Sequence, residues 1–204
     1  MLLRIIFAAL SAALIGNSAY AGAHNEVSYY RSSTVNYTYF AQSIEGGFGD
    51  VVFDMGSEDE KSMDWKSFKL KSEFGIETMK FIKLSAGFLK EDYKKMADES
   101  KSMDKLSAFA EAKIILNTPI FNIEVGSGAT ASTLDMFQGD LFGTYAGSGK
   151  YYSFGIARFL SSNTAVFAKY STFDQFFVKN SGTTEVSNIK FLDRSIGAGF
   201  SIYF

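Results

Sequence analysis

Four stretches of this 204-residue chain carry side chains with chemistry to offer. The first is a set of charges at alternate positions: Lys69, Lys71 and Glu73; Lys83; Glu111 and Lys113; Glu124; Lys169; and Asp193. In extended chain such residues share one face, with apolar neighbours on the other. Mixed Lys and Glu on adjacent strands pair and neutralise one another, which is structural work rather than catalysis. The second candidate is His24, the one His in the chain. Hydrolytic nucleophiles need a base titrating near neutrality, but His24 stands near the start of the chain, apart from the alternating segments, and reads as solvated. The third, Glu58-Asp59-Glu60, is a solvated charge run with at most weak affinity for a cation. The fourth, Thr144–Lys150, has the Gly-Ser-Gly-Lys end of a phosphate loop, yet it lacks the first Gly and is followed by Tyr151 instead of Ser or Thr.

None of the four makes an active site, so the expectation is a non-enzymatic protein with no cofactor and no metal. Absence of Cys removes disulfide scaffolds, thiolate metal sites and cysteine nucleophiles together. A net charge of −2 leaves no basic footprint for nucleic acid. One Pro against 18 Gly, 21 Phe and 11 Tyr fits a sheet-rich protein, since Pro interrupts ladders and aromatics favour them.

The elements that position the charges follow from a period of two. Phe68, Leu70, Phe74 and Ile76 alternate with Lys69, Lys71 and Glu73, and Leu84, Ala86 and Phe88 with Lys83 and Ser85. Further stripes run Leu106–Leu116, Phe121–Ala129, Tyr152–Ile156, Val166–Tyr170 and Leu192–Phe204. A less regular first strand near Ile44–Met55, with a bulge at Glu45-Gly-Gly, brings the expected count to eight. Glu77–Lys80, Asn117–Pro119 and Ser161–Asn163 read as tight turns. Ser57–Asp64, Lys94–Asp104, Leu134–Lys150 and Val178–Lys190 read as longer polar loops. Strict alternation of short and long links is the habit of outer-membrane barrels.

Met1–Ala21 reads as a secretory signal peptide, with Arg4 in the n-region, an apolar run Ile5–Ile15, and Ala19 and Ala21 at the cleavage positions. An uncleaved N-terminal anchor is the alternative, although the run is short for a span. Residues 22–43 are expected to form an N-terminal periplasmic segment or an extension of the first strand, and residues 44–204 the barrel. Beyond residue 21 no stretch is apolar enough for a transmembrane helix.

The terminus Ile196-Gly-Ala-Gly-Phe-Ser-Ile-Tyr-Phe204 has apolar residues at every second position and ends in an aromatic. It resembles the C-terminal assembly signal of Gram-negative outer-membrane proteins. By that resemblance Ile196, Ala198, Phe200, Ile202 and Phe204 would be the positions read by the barrel-assembly machinery. Ser153–Tyr170 is similar to the sixth and seventh strands of small OmpX/OmpA-like and opacity-type barrels. Arg158 departs from them as a charge on an apolar stripe, close enough to a turn to snorkel. The resemblance implies an all-β, transmembrane, antiparallel up-and-down barrel of eight strands, exported to the cell outer membrane. Outer-membrane lipid and lipopolysaccharide would surround it, and the charged set would fill its lumen as an ion-paired plug.

Trp65, Tyr93, Tyr151 and Tyr152, close to loop ends, are expected in an interfacial girdle. The function that fits is a structural or surface-contact (adhesion) role through external loops, with no partner named by their mixed composition. The alternatives are a narrow channel or conduit for small hydrophobic molecules, and a soluble lipocalin-like barrel with the polar face outward.

Overall fold

A computed structural model describes residues 36–54, 59–78, 81–95, 101–118, 120–138, 140–161 and 163–204, with the side chains of 54, 59–64 and 138 excepted. The strands are β1 (Tyr37–Asp54), β2 (Asp59–Thr78), β3 (Ile82–Lys95), β4 (Lys101–Asn117), β5 (Asn122–Gln138), β6 (Leu141–Phe159), β7 (Thr164–Gly182) and β8 (Asn188–Tyr203). Each pairs antiparallel with its neighbour in sequence, and β1 with β8, so the sheet closes and no strand is left as an edge. Both ends of the barrel segment, Tyr37 and Phe204, lie on one rim, where the Phe204 amide donates to the Thr38 carbonyl at 2.9 Å. We call this the terminal rim and the opposite one the distal rim.

Eight antiparallel strands in an up-and-down barrel are what the alternation predicted. The strands are longer than predicted, however, and the long loops are mostly absent. β1 starts at Tyr37 rather than Ile44, so residues 37–43 are strand. Asp59 and Glu60, expected in a loop, open β2, and Glu58 lies outside the described residues. On the distal side the links are only 55–58, 96–100, 139–140 and 183–187. Those at the terminal rim are 79–81, 118–121 and 160–163, of much the same length. The asymmetry therefore lies in how far the ladders run past the apolar belt, not in the loops.

The physical reason is an inversion of polarity along the barrel. Near the terminal rim the outward face is apolar: Phe74, Ile76, Leu84, Phe88, Ile114, Leu116, Val125, Phe154 and Ile196 are all well exposed. Moving distally, each strand reaches a first outward-facing charge past this belt: Asp50, Lys66, Lys90, Asp104, Asp135, Lys150, Asp174 and Arg194. Beyond this ring the interior becomes apolar. Val51, Phe53, Trp65, Tyr93, Met103, Leu134, Met136, Tyr145, Phe177, Val186, Ile189 and Phe191 form one buried cluster inside the distal barrel. The period of two continues there with its faces exchanged, and Lys, Asp and Ser on the outside gave those segments the look of loops.

The belt has membrane dimensions. On β4 the outward residues Leu106, Ala108, Ala110, Ala112, Ile114 and Leu116 are uninterrupted by charge. Ten steps of about 3.3 Å, tilted by about 40°, cover roughly 25 Å of height, the thickness of the apolar band of outer-membrane barrels. Arg158 faces outward just before the β6–β7 turn, half-buried. The expected girdle is corrected: Trp65, Tyr93 and Tyr151 point into the barrel and are essentially fully buried, and only Tyr152 faces outward. Their parity decides this, since Trp65 matches Lys69, Tyr93 matches Glu91 and Tyr151 matches Ser153.

A cap closes the distal mouth. The β7–β8 connection folds inward and buries Thr184 and Val186. The Tyr145 hydroxyl lies 2.8 Å from Thr184 Oγ1 and 3.1 Å from the Val186 carbonyl oxygen. Gly182, with φ of +113°, makes the turn into this cap, and a Cβ there would meet the Phe142 carbonyl oxygen at 2.2 Å.

Candidate functional site: the ion-paired lumen

At belt height the interior is charged. Lys69, Lys71, Glu73, Lys83, Glu111, Lys113, Glu124, Lys169 and Asp193 all face inward, as alternation placed them on one face. Closure brings them together across the barrel in four groups. Furthest from the terminal rim, Lys69 contacts Asp193 and lies 3.0 Å from Glu91, while Lys105 lies 2.5 Å from the other Glu91 oxygen. The Tyr93 hydroxyl is 2.7 Å from Asp193 and 2.9 Å from Glu91 and donates its one proton to either. Lys105 also donates to Gln175 at 2.6 Å, and that amide donates to Thr130 and Ser132.

The second group is a four-membered core. Lys71 lies 2.9 Å from Glu73 and 3.2 Å from Glu111; Lys113 lies 2.7 Å from Glu73 and 3.5 Å from Glu111. Tyr39 and Ser153 donate to the same two carboxylates. Lys71 also sits 4.1 Å above the Phe109 ring, a cation–π contact. The third group is a single pair, Glu45 with Lys169 at 2.6 Å, completed by Ser195 donating to Glu45 at 2.8 Å. The last, nearest the terminal rim, is Lys83 between Glu124, which it contacts, and Glu77 at 3.9 Å.

Four inward charges escaped the sequence reading: Glu45, Glu77, Glu91 and Lys105. Glu45 looked like part of a bulge, Glu77 like a turn, and Glu91 and Lys105 lay at the edges of supposed loops. Glu77 has the parity of Glu73, Glu91 that of Lys83, Lys105 that of Glu111, and Glu45 that of Ser43, so extending the alternation through the polar stretches would have found them. With them included, six Lys face six Glu and Asp193. So nearly balanced a set, held within 4 Å of partners, meets the condition under which buried charges are tolerated.

A cavity lined by Tyr39, Glu73, Lys83, Lys113, Glu124 and Ser153 measures about 20 Å³, room for about one water. Ion pairs occupy the interior at belt height, and the apolar cluster occupies it beyond the charge ring. Glycines on the inward face let this happen: Gly197 lies in register between Glu45 and Lys169. A Cβ on it would meet Glu45 Cγ at 2.3 Å and the Ile44 carbonyl oxygen at 2.7 Å.

Of the remaining predicted positions, Ile196, Phe200, Ile202 and Phe204 face outward on the apolar belt, and Ala198 shares that face half-buried. Ala19, Ala21 and His24 lie outside the described residues.

No protein-family model matches the chain, and no curated protein matches it. Among solved structures it is similar to the crystal structure of Neisserial surface protein A, at 17% identity and a TM-score of 0.50, covering 81% of this chain and 97% of that one. It also matches the N-terminal β-barrel domain of Pseudomonas aeruginosa OprF, at 12% identity and TM-score 0.47, over 78% and 97% of the two chains. A third match is Ail, the attachment invasion locus protein of Yersinia pestis, at 13% identity and TM-score 0.44, over 79% and 98%. With its closed ring of eight antiparallel strands and the likeness to the first of these, the chain has the fold of the small eight-stranded outer-membrane β-barrels.

Proposed function

We propose that this is a non-enzymatic protein of the Gram-negative outer membrane, closed to solute flow, whose distal end serves a structural or surface-contact role. Met1–Ala21 would be the export signal, cleaved after Ala19-Tyr20-Ala21, and the alternating terminus ending in Phe204 the signal for the barrel-assembly machinery. The terminal rim would face the periplasm and the distal rim the exterior, embedded in outer-membrane lipid and lipopolysaccharide. The observation that carries this reading is the inversion of polarity at the charge ring. An apolar exterior about 25 Å tall around an ion-paired lumen fits lipid, whereas a soluble lipocalin-like barrel needs the reverse arrangement along its whole length.

Contact with a partner is supported by apolar side chains beyond the ring. Phe137, Leu141 and Phe142 on the β5–β6 hairpin, and Phe176 and Val178 on β7, are 38–51% exposed where the outward surface would meet water. Exposed apolar groups gathered in one region mark interaction sites more often than they occur by accident. The channel reading fits the filled lumen poorly.

The test of location is fractionation, with gel mobility compared before and after boiling. The protein should partition with outer membranes and change mobility on heating, and release with the periplasm would refute the reading. Planar-bilayer recordings should give no steady open conductance.

A further inference from the structure

The outward charges near the ring are not mixed evenly around the barrel. Arg194 on β8 is in register with Phe48 on β1, Phe48 with Lys66 on β2, and Lys66 with Lys94 on β3. One row across four strands therefore carries three cations and an aromatic, with Lys66 directly opposite Lys94. At strand spacings of about 4.8 Å the row is about 14 Å long. Like charges placed opposite each other on one face are destabilising. Yet among the described residues no carboxylate pairs with Lys66, Lys94 or Arg194. Asp92, two residues from Lys94 on β3, is 3.9 Å from Lys90 instead.

Below the row the outward face is apolar on β8, β1 and β2, where Phe48, Phe68, Leu70 and Ile196 are 42–61% exposed; on β3, Asp92 and Lys90 stand between Lys94 and Phe88. The opposite sign begins on β3 itself: Asp92, Asp104 and Asp135 are in register on β3, β4 and β5. Thus one flank attracts anions at the belt's distal boundary and the adjacent flank repels them.

We propose that Lys66, Lys94 and Arg194 dock the phosphorylated headgroup of a membrane lipid whose acyl chains lie on the apolar wall of β8, β1 and β2. A lipid is the occupant because Arg194 and Lys66 sit at the boundary of the belt, with the aromatic Phe48 between them. A soluble polyanion would gain nothing from that wall. The shared phosphate relieves the Lys66–Lys94 opposition, which explains why the row carries no acids of its own. This inference rests on the membrane reading above.

The experiment uses the full barrel in phosphatidylcholine nanodiscs doped with bisphosphorylated lipid A or with the same lipid after enzymatic removal of its phosphates. Retained lipid is counted by native mass spectrometry for the wild type and for the triple variant K66Q/K94Q/R194Q. The three side chains are exposed, so the variant should fold, as heat-dependent gel mobility checks. Loss of three cations should weaken retention of bisphosphorylated lipid A about tenfold or more. The dephosphorylated form should be retained equally by both proteins, and D104N/D135N should leave retention of the phosphorylated form undiminished. Equal retention of bisphosphorylated lipid A by wild type and triple variant, with both inserted, overturns the docking site alone. So does displacement of the lipid by inorganic polyphosphate at matched phosphate concentration, which would make the row a site for soluble polyanions. Failure of the wild type to insert refutes the membrane reading and the site with it.

Discussion

Replacing Lys169 with Met tests the ion-paired lumen at its simplest point. Lys169 and Glu45 form a single close pair, 7% and 0% exposed, with nitrogen and oxygen 2.6 Å apart across the intervening β8. At an effective dielectric of about 20, unit charges at that separation attract by about 6 kcal/mol. Removing Lys169 forfeits this attraction but leaves Glu45 its hydrogen bonds from Ser195 at 2.8 Å and Ser43 at 3.4 Å. The expected loss is about 3–5 kcal/mol, the usual cost of a buried charge stripped of its partner. Adding Glu45→Gln removes the stranded charge, so the double variant K169M/E45Q should recover most of that loss. The assay is urea unfolding of the refolded barrel in lipid vesicles, read by tryptophan fluorescence and heat-dependent gel mobility. A K169M cost below about 1 kcal/mol, or a double variant no more stable than the single, would refute the electrostatic account of the lumen.

Three further outcomes follow from the same structure. Gly197→Ala should cost about 1–3 kcal/mol in the same unfolding assay, because its Cβ overpacks against Glu45 and the Ile44 carbonyl. Tyr145→Phe removes the hydroxyl contacts to Thr184 and Val186 and should speed protease cleavage within 183–187 by roughly three- to tenfold, in keeping with a lost buried hydrogen bond of about 1 kcal/mol. Deleting Phe204 removes a 74% exposed side chain and one backbone hydrogen bond, so stability after refolding in vitro should fall by no more than about 1.5 kcal/mol. Assembly in cells should nonetheless fall several-fold by outer-membrane abundance, and normal insertion of the truncated chain would count against the terminal signal.

The alternation that exposed eight strands was legible because at belt height the two faces differ sharply, as Phe68, Leu70 and Phe74 do from Lys69, Lys71 and Glu73. It faded where both faces became mixed. Around Lys90–Lys95 and Lys101–Leu106, outward Asp92, Lys94 and Asp104 flank inward Tyr93, Met103 and Lys105, so neither parity is purely apolar. Composition there resembles a loop, and only register, which requires the neighbouring strand, identifies a ladder. The same gap concealed Glu91 and Lys105 and sent Trp65 and Tyr93 to an interface they do not occupy. Partner choice across the lumen was beyond sequence altogether: Lys69 meets Asp193 only because β8 closes on β1.

The polarity inversion also limits how the distal end can change in length. With connections as short as 139–140, a surface that varies must vary on its ladders. One residue inserted into β5 just before Leu134 would turn Leu134 and Met136 outward and bring Asp135 inside, into the apolar cluster that those two side chains help to form. Two residues would preserve parity but need a matching pair on β4 or β6. Growth or trimming of this end is therefore quantised, proceeding by hairpins in even steps, while free-length variation is confined to 55–58, 96–100 and the inward cap at 183–187.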